Sequence, residues 1–94
     1  MAAAVGTVTA DTPTVRITRW TFGAGAGTGR HRHGYDYVVV PVTGGVFTVT
    51  DARGEVSTIQ QVAGVPYLGS VGTTHDVVNA TEQQVSFVEV EVKG

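Results

Sequence analysis

The chain has 94 residues, enough for one domain that buries roughly two-thirds of the surface its unfolded form exposes. It contains no cysteine, which excludes disulfide bridges, thiolate metal sites and cysteine nucleophiles. The net charge is −2 with neutral histidines, and the six basic residues are scattered, so we expect no nucleic-acid partner.

The N-terminal residues do not resemble a targeting segment. Residues 1–6 lack a charged start and a long apolar stretch, and no later stretch approaches the length of a membrane span. We therefore expect a cytoplasmic protein that does not bind membranes. Residues 1–12 are rich in alanine, threonine and glycine and predict either an edge strand or a flexible arm.

The composition favours strands over helices, because abundant valine and threonine suit a pleated surface. We expect little or no helix. Many short strands separated by turn signals predict an all-β sandwich or barrel, with residues 1–94 as a single domain. The predicted strands are 15–22, 35–42, 46–51, 56–60, 65–68, 75–79 and 85–92.

Local patterns add three expectations about how the strands lie. Glycine-containing separators at 43–45 and 51–54 predict hairpin turns. Valine and glutamate alternate over 88–92, so we expect the valines to face the core and Glu89 and Glu91 to face water. The three valines at 38–40 make a strand that is apolar on both faces. A second subunit would cover the outer face, which predicts a homodimer.

The histidines are the clearest candidates for chemistry. His31 and His33 are two residues apart, so in an extended chain both rings point to the same side. Two imidazoles can hold one metal ion at about 2.0–2.1 Å each, and His75, at the start of another predicted strand, supplies a third ligand. On spacing alone, the alternative of surface or core histidines stays open. The predicted cofactor is one divalent transition metal ion, with Fe, Ni, Zn, Cu and Mn all candidates.

Two stretches resemble the sequence motifs of the cupin family. Residues 25–44 read G-x5-H-x-H-x3-Y-x6-G, which is similar to the first cupin motif, with tyrosine at the glutamate place. Residues 64–79 read G-x5-S-x-G-x2-H-x3-N, which is similar to the second motif, with serine replacing its usual proline. The resemblance implies a double-stranded β-helix, or jelly-roll, barrel that is frequently a dimer. It also implies an interior metal ion on the residues that match His31, His33 and His75.

Tyr37 stands where many cupins carry the carboxylate of a three-His, one-Glu site. Asp36 has the opposite strand parity to the histidines, so we do not count it as a ligand. Three-His cupins include iron dioxygenases that act on thiols and diketones. Tyr37 and Tyr35 share the inward parity, and we assign Tyr37 a catalytic role as a general acid or hydrogen-bond donor. The alternative is that both tyrosines only fill the barrel.

Three functions stay open for a barrel of this kind that binds a small-molecule ligand. The first is a dioxygenase-like oxidoreductase that acts on a small chelating substrate. The second is a non-catalytic module that binds a metal or small ligand, and the third is a metal-dependent lyase, isomerase or cyclase in which Tyr37 moves a proton. Arg16 and Arg19 have opposite parity, so at most one faces the pocket, where it would hold a substrate carboxylate.

Overall fold

In the computed structural model, which describes residues 2–94, the chain forms nine β-strands, and these strands pair antiparallel. Those residues contain no helix, and hence none long and apolar enough to cross a membrane. The strands are β1 Val5–Asp11, β2 Val15–Phe22, β3 His31–Arg32, β4 Asp36–Pro41, β5 Gly45–Asp51, β6 Val56–Gln61, β7 Tyr67–Gly69, β8 Thr74–Asn79 and β9 Val85–Val92.

The strands make two sheets that enclose one core. The five-stranded sheet has the order β1-β2-β9-β4-β7, and the four-stranded sheet has the order β3-β8-β5-β6. Phe47 of the four-stranded sheet packs against Phe22 and Phe87 of the other sheet, with ring centroids 4.9 and 5.9 Å away. Aromatic burial across the two sheets therefore closes this part of the barrel. The expected all-β architecture is confirmed.

The predicted strands correspond to β2 and to β4 through β9, with ends that agree within two residues. Residues 5–11, within the segment for which a strand or an arm was predicted, form β1 and pair with β2 at the edge of the five-stranded sheet. A register shift between Val8 and Ala10 interrupts that pairing. Met1 lies outside the described residues.

Of the two predicted hairpins, one is confirmed and one is wrong. β5 and β6 pair across the turn at 51–54, where the Asp51 carboxylate accepts hydrogen bonds from the Arg53 and Glu55 amides. β4 and β5 lie in different sheets, so residues 43–45 cross between sheets instead of forming a hairpin. Gly45 has a φ of 152°, and a Cβ there would lie 2.7 Å from the Val85 side chain. The glycine therefore serves a close approach to β9.

The orientation of β9 is opposite to the predicted one. Glu89 is 9% exposed and shares its side of the strand with buried Val85 and Phe87. Val88 and Val90 lie on the outer face and are half-buried. The prediction that Glu89 faces water is therefore wrong. Since alternation fixes only relative orientation, the apolar pair at 85 and 87 sets which face of the strand is interior.

Candidate metal centre

Three histidine rings converge at one point inside the barrel. His31 of β3 lies directly opposite His75 of β8 in the antiparallel register. The Nε2 atom of His33 lies 3.1 Å from Nε2 of His31 and 3.0 Å from Nε2 of His75. One ligand atom from each ring falls within 4.8 Å of the others. The structure thus brings together the three histidines that the sequence singled out.

Backbone pairing beyond β3 holds His33 in line with His31. The His33 amide donates to the Thr73 carbonyl over 2.9 Å, and the His33 carbonyl accepts from the Gly72 amide over 2.8 Å. These bonds keep the chain extended through residue 33, so residues 31 and 33 present their rings to the same side. The shared orientation of the His31 and His33 rings therefore follows from local strand geometry.

The His31 ring is further oriented by the turn that precedes it. Its Nδ1 atom lies 2.9 Å from the carbonyl oxygen of Gly29, which has a φ of 74°. Only Nδ1–H can make this bond, so the Nε2 atom of a neutral ring carries a lone pair. The hydrogen bond therefore selects the tautomer that a metal ion requires.

Burial keeps the inner rings uncharged. Burial, followed by charge repulsion from the neighbouring His31 and His75, lowers the pKa of His33 to about 4. Burial is also the main reason why the pKa of His75 is lowered, with repulsion from His31 acting in the same direction. Neutral imidazole is the form that binds a metal, so no proton has to leave these two rings at neutral pH.

The spacing of the ring nitrogens fits a shared metal ion. Two nitrogens bound to one ion at about 2.0–2.1 Å, at an angle a little above a right angle, lie about 3 Å apart. His33 has this spacing to each of its two neighbours. Three lone pairs aimed at one another without a proton between them would repel, and a cation at their meeting point removes that repulsion. The residues therefore fit a transition metal.

Tyr37 packs flat on one of the three histidine rings. Its ring centroid lies 3.8 Å from that of His33 with an interplanar angle of 17°. Burial mainly raises the pKa of Tyr37, the Glu89 charge adds to this, and a hydrogen bond with the Thr73 side chain opposes it. Tyr35 shares the predicted parity but does not line the pocket. A general-acid role for Tyr37 stays a prediction.

A pocket of about 420 Å³ opens beside the histidines. Its wall is mainly apolar and aromatic, which suits a small organic ligand. The predicted residues Tyr37 and the three histidines line it, together with residues that the sequence motifs do not specify. The most prominent of these are Trp20, Tyr67, Phe87, Glu89 and Glu91.

Glu89 is the most deeply buried of the charged side chains that line the pocket, which also include Arg32 and Glu91. Its pKa is raised to about 7, mainly by burial and also by the charge of the neighbouring Glu91 carboxylate, while Trp20 acts in the opposite direction. The signal that could have located it is Phe87, because an aromatic residue two positions earlier marks the interior face of the same strand.

Neither arginine of β2 lines the pocket. Arg16 lies 3.6 Å from Glu91 and 3.6 Å from Asp11, so its charge is already paired. Arg19 is exposed on the opposite face of the strand. The exposed Asp36 carboxylate accepts a hydrogen bond from the Val71 amide over 2.8 Å and does not join the histidines, as predicted.

Known proteins are similar to this chain in sequence and in fold. The chain is 47% identical over 90 residues to the β-alanine degradation protein BauB of Pseudomonas aeruginosa, covering 96% of this chain and 94% of that protein. It is 40% identical to a cupin domain from Bordetella pertussis Tohama I, which superposes with a TM-score of 0.95 over 99% of this chain and 96% of that one. The chain belongs to the cupin family.

More distant cupins share the fold alone. An RmlC-like cupin with a double-stranded β-helix from Methanocaldococcus jannaschii is 15% identical and superposes with a TM-score of 0.79, over 98% of this chain and 82% of that one. A search of the chain against models of known protein families finds no match. The double-stranded β-helix implied by the sequence motifs is confirmed for this cupin.

Proposed function

We propose that this cupin is a mononuclear metalloprotein in which His31, His33 and His75 hold one divalent transition metal ion through their Nε2 atoms. The observation that carries the proposal is the spacing of 3.0 and 3.1 Å between these nitrogens. Support also comes from the lowered pKa of His33 and from the bond that fixes the His31 tautomer.

The chain's own residues would prepare the site for a small chelating molecule. An ion held only by neutral imidazoles keeps its full charge and open positions, and so supplies Lewis-acid or redox chemistry when bound. Tyr37 holds the His33 ring in place by stacking. The aromatic and apolar wall keeps water away from the ligand and strengthens its electrostatic contacts.

The reaction we propose is that of a dioxygenase-like oxidoreductase. Tyr37 replaces the carboxylate found in three-His, one-Glu cupins, and the three-His cupins that this chain resembles include dioxygenases of thiols and diketones. The name of the Pseudomonas relative connects that protein with β-alanine degradation. Small amino acids and their derivatives therefore belong in the substrate panel.

A non-catalytic, ligand-binding role is the second candidate. The observation that favours it is the stacking of the Tyr37 ring on His33, which gives this side chain a packing role beside the histidines. Oxygen uptake by the ferrous protein with diketones, thiols and amino acids separates the two roles. Uptake with any of these substrates supports the oxidoreductase, and none across the panel favours the binding module.

Metal content is the first test. The metal-to-chain ratio is measured by elemental analysis in the wild type, in the double variant His31→Ala/His33→Ala and in Asp36→Asn. We expect a near-stoichiometric ion in the wild type and in Asp36→Asn, where an exposed neighbouring carboxylate is altered, and none in the double variant. A wild type that stays metal-free under metal-replete conditions contradicts the proposal.

A further inference from the structure

Glu89 and the histidines line the same pocket from different sheets. Glu89 lies on β9 of the five-stranded sheet, paired with Thr18 of β2 and Val39 of β4. The metal-binding rings come from β3, β8 and the residues just after β3, on the four-stranded side. Any molecule that fills the pocket therefore has the histidines at one wall and a carboxylate at another.

The Glu89 carboxylate has no cationic partner among residues 2–94. The salt bridges of those residues join Arg16 to Asp11, Arg16 to Glu91 and Lys93 to Asp11, and none reaches Glu89. A carboxylate removed from water without an opposite charge is destabilised. A cation entering the pocket would relieve this, whereas an anion would be repelled and a purely apolar group would leave the carboxylate desolvated.

Aromatic rings surround the same carboxylate. The Glu89 carboxylate shares the pocket wall with the Trp20 ring, and its charge contributes to raising the pKa values of Tyr37 and Tyr67. All of these residues line the pocket. Aromatic faces attract ammonium groups through their negative π-clouds, and a carboxylate among such faces is the combination that recognises an amine.

We propose that this pocket takes a small zwitterionic amino acid, with its ammonium group at Glu89 and its carboxylate at the metal centre. The inference rests on the proposed metal site, since the cation on His31, His33 and His75 supplies the positive end. A positive centre at one wall and an unpaired carboxylate at another make the pocket dipolar. A zwitterion matches that dipole, while a simple carboxylic acid satisfies only one end.

Binding of matched ligand pairs to the zinc-loaded protein tests this proposal by calorimetry. Each amino acid is compared with the acid that lacks its amine: glycine with acetate, β-alanine with propionate, and 4-aminobutyrate with butyrate. At about pH 8.5, above the pKa of Glu89, the carboxylate is ionised. We expect at least one amino acid to bind about tenfold tighter than its partner acid.

The variants Glu89→Gln and Glu55→Gln make the same chemical change inside and outside the pocket, because Glu55 is exposed on a turn. We expect Glu89→Gln to abolish the preference for the amino acid while leaving the affinity for the acid and the zinc content unchanged, and Glu55→Gln to behave as the wild type. Glu89→Asp, which keeps the charge, should retain part of the preference.

Two results would overturn the proposal. One is equal affinity for acid and amino acid in the zinc-loaded wild type. The other is loss of zinc from Glu89→Gln, which would make Glu89 a metal ligand.

Binding of propylamine, an amine without a carboxylate, separates failure of this proposal from failure of the metal site. If the wild type holds no zinc but still binds propylamine through Glu89, the metal site fails and the ammonium site stands. If zinc is held and neither propylamine nor any amino acid depends on Glu89, the ammonium site fails alone.

Discussion

A single buried carboxylate, that of Glu89, sets much of the charge of the pocket. Glu89 is buried beside Glu91, Trp20, Tyr37 and Tyr67, and its pKa is raised to about 7 from an ordinary value near 4.5. Burial penalises the ionised carboxylate, so ionised Glu89 lowers the free energy of unfolding, whereas the protonated form does not. The ionised carboxylate therefore destabilises the metal-free protein at neutral and alkaline pH.

Replacing Glu89 by glutamine should stabilise the metal-free protein in a pH-dependent way. Between pH 4.5 and about 7 the folded wild type binds more protons at Glu89 than the unfolded chain, so its stability falls as pH rises through this window. We expect Glu89→Gln to be more stable by about 1–2 kcal/mol above this window and equally stable below it. Urea unfolding across pH measures this, and parallel curves for the two proteins would contradict it.

Tyr37 offers a second residue-scale prediction, because its ring and its hydroxyl have separable roles. Tyr37→Phe keeps the ring that stacks on His33, so we expect zinc affinity to change little. Tyr37→Leu removes the stacking ring, and we expect zinc affinity to fall by about tenfold. If Tyr37→Phe abolishes turnover on a substrate that the wild type converts, the phenol acts as the predicted acid. Unchanged turnover would remove that role.

At the scale of strands, the edge strands of the five-stranded sheet make room for inward aromatic rings. Gly6 of β1 is paired with Trp20, and Gly69 of β7 is paired with Tyr37. A Cβ on Gly69 would lie 2.0 Å from Cζ of Tyr37, and one on Gly6 would lie 2.8 Å from the Trp20 ring. Each glycine lets the opposite ring lie over the backbone of the edge strand.

The variant Gly69→Ala should therefore disturb both stability and the metal site. The added methyl cannot coexist with the Tyr37 ring, which has to move off its place on His33. We expect a loss of about 2–3 kcal/mol in unfolding free energy together with weaker zinc binding. Gly23→Ala is the control, since a Cβ there meets nothing within 4 Å. Equal zinc affinity in the two variants would show that the Tyr37 stack does not support the site.

For the whole molecule, the outer face of the five-stranded sheet carries an apolar row across four strands. Register pairs Leu68 with Val38, Val38 with Val90 and Val90 with Ile17. Leu68 is 81% exposed, and the other three are half-buried. Such a row is typical of a surface that another chain covers. We propose that this cupin pairs with a second copy of itself through this face.

Sedimentation at micromolar concentration tests the dimer. We expect the mass of two chains for the wild type, and of one chain for Leu68→Asp, because a desolvated carboxylate opposes association. Val56→Asp, at an exposed valine on β6 at the edge of the other sheet, should leave the dimer intact. A monomeric wild type at this concentration would contradict the proposal.

The sequence by itself determined the strands and the histidine set. β-Branched runs predict the strands locally, and the i, i+2 geometry of an extended chain places His31 and His33 on one side whatever surrounds them. His75 is the only other histidine of the chain and begins another predicted strand, and the second cupin motif connects it with a site some forty residues away. These features depend on local backbone geometry or on a motif, and so they can be predicted from sequence.

Tertiary structure decided which face of each strand is interior and which side chains lie around the histidines. The alternation of valine and glutamate over 88–92 is equally consistent with Glu89 inside or outside, and the packing of Phe87 against the opposite sheet sets the choice. The crossing at 43–45, the stack of Tyr37 on His33 and the pairing of Arg16 with Glu91 also depend on contacts between distant segments. The residue pattern of a strand predicts which side chains share a face, whereas the contacts of that face form only when the two sheets pack together.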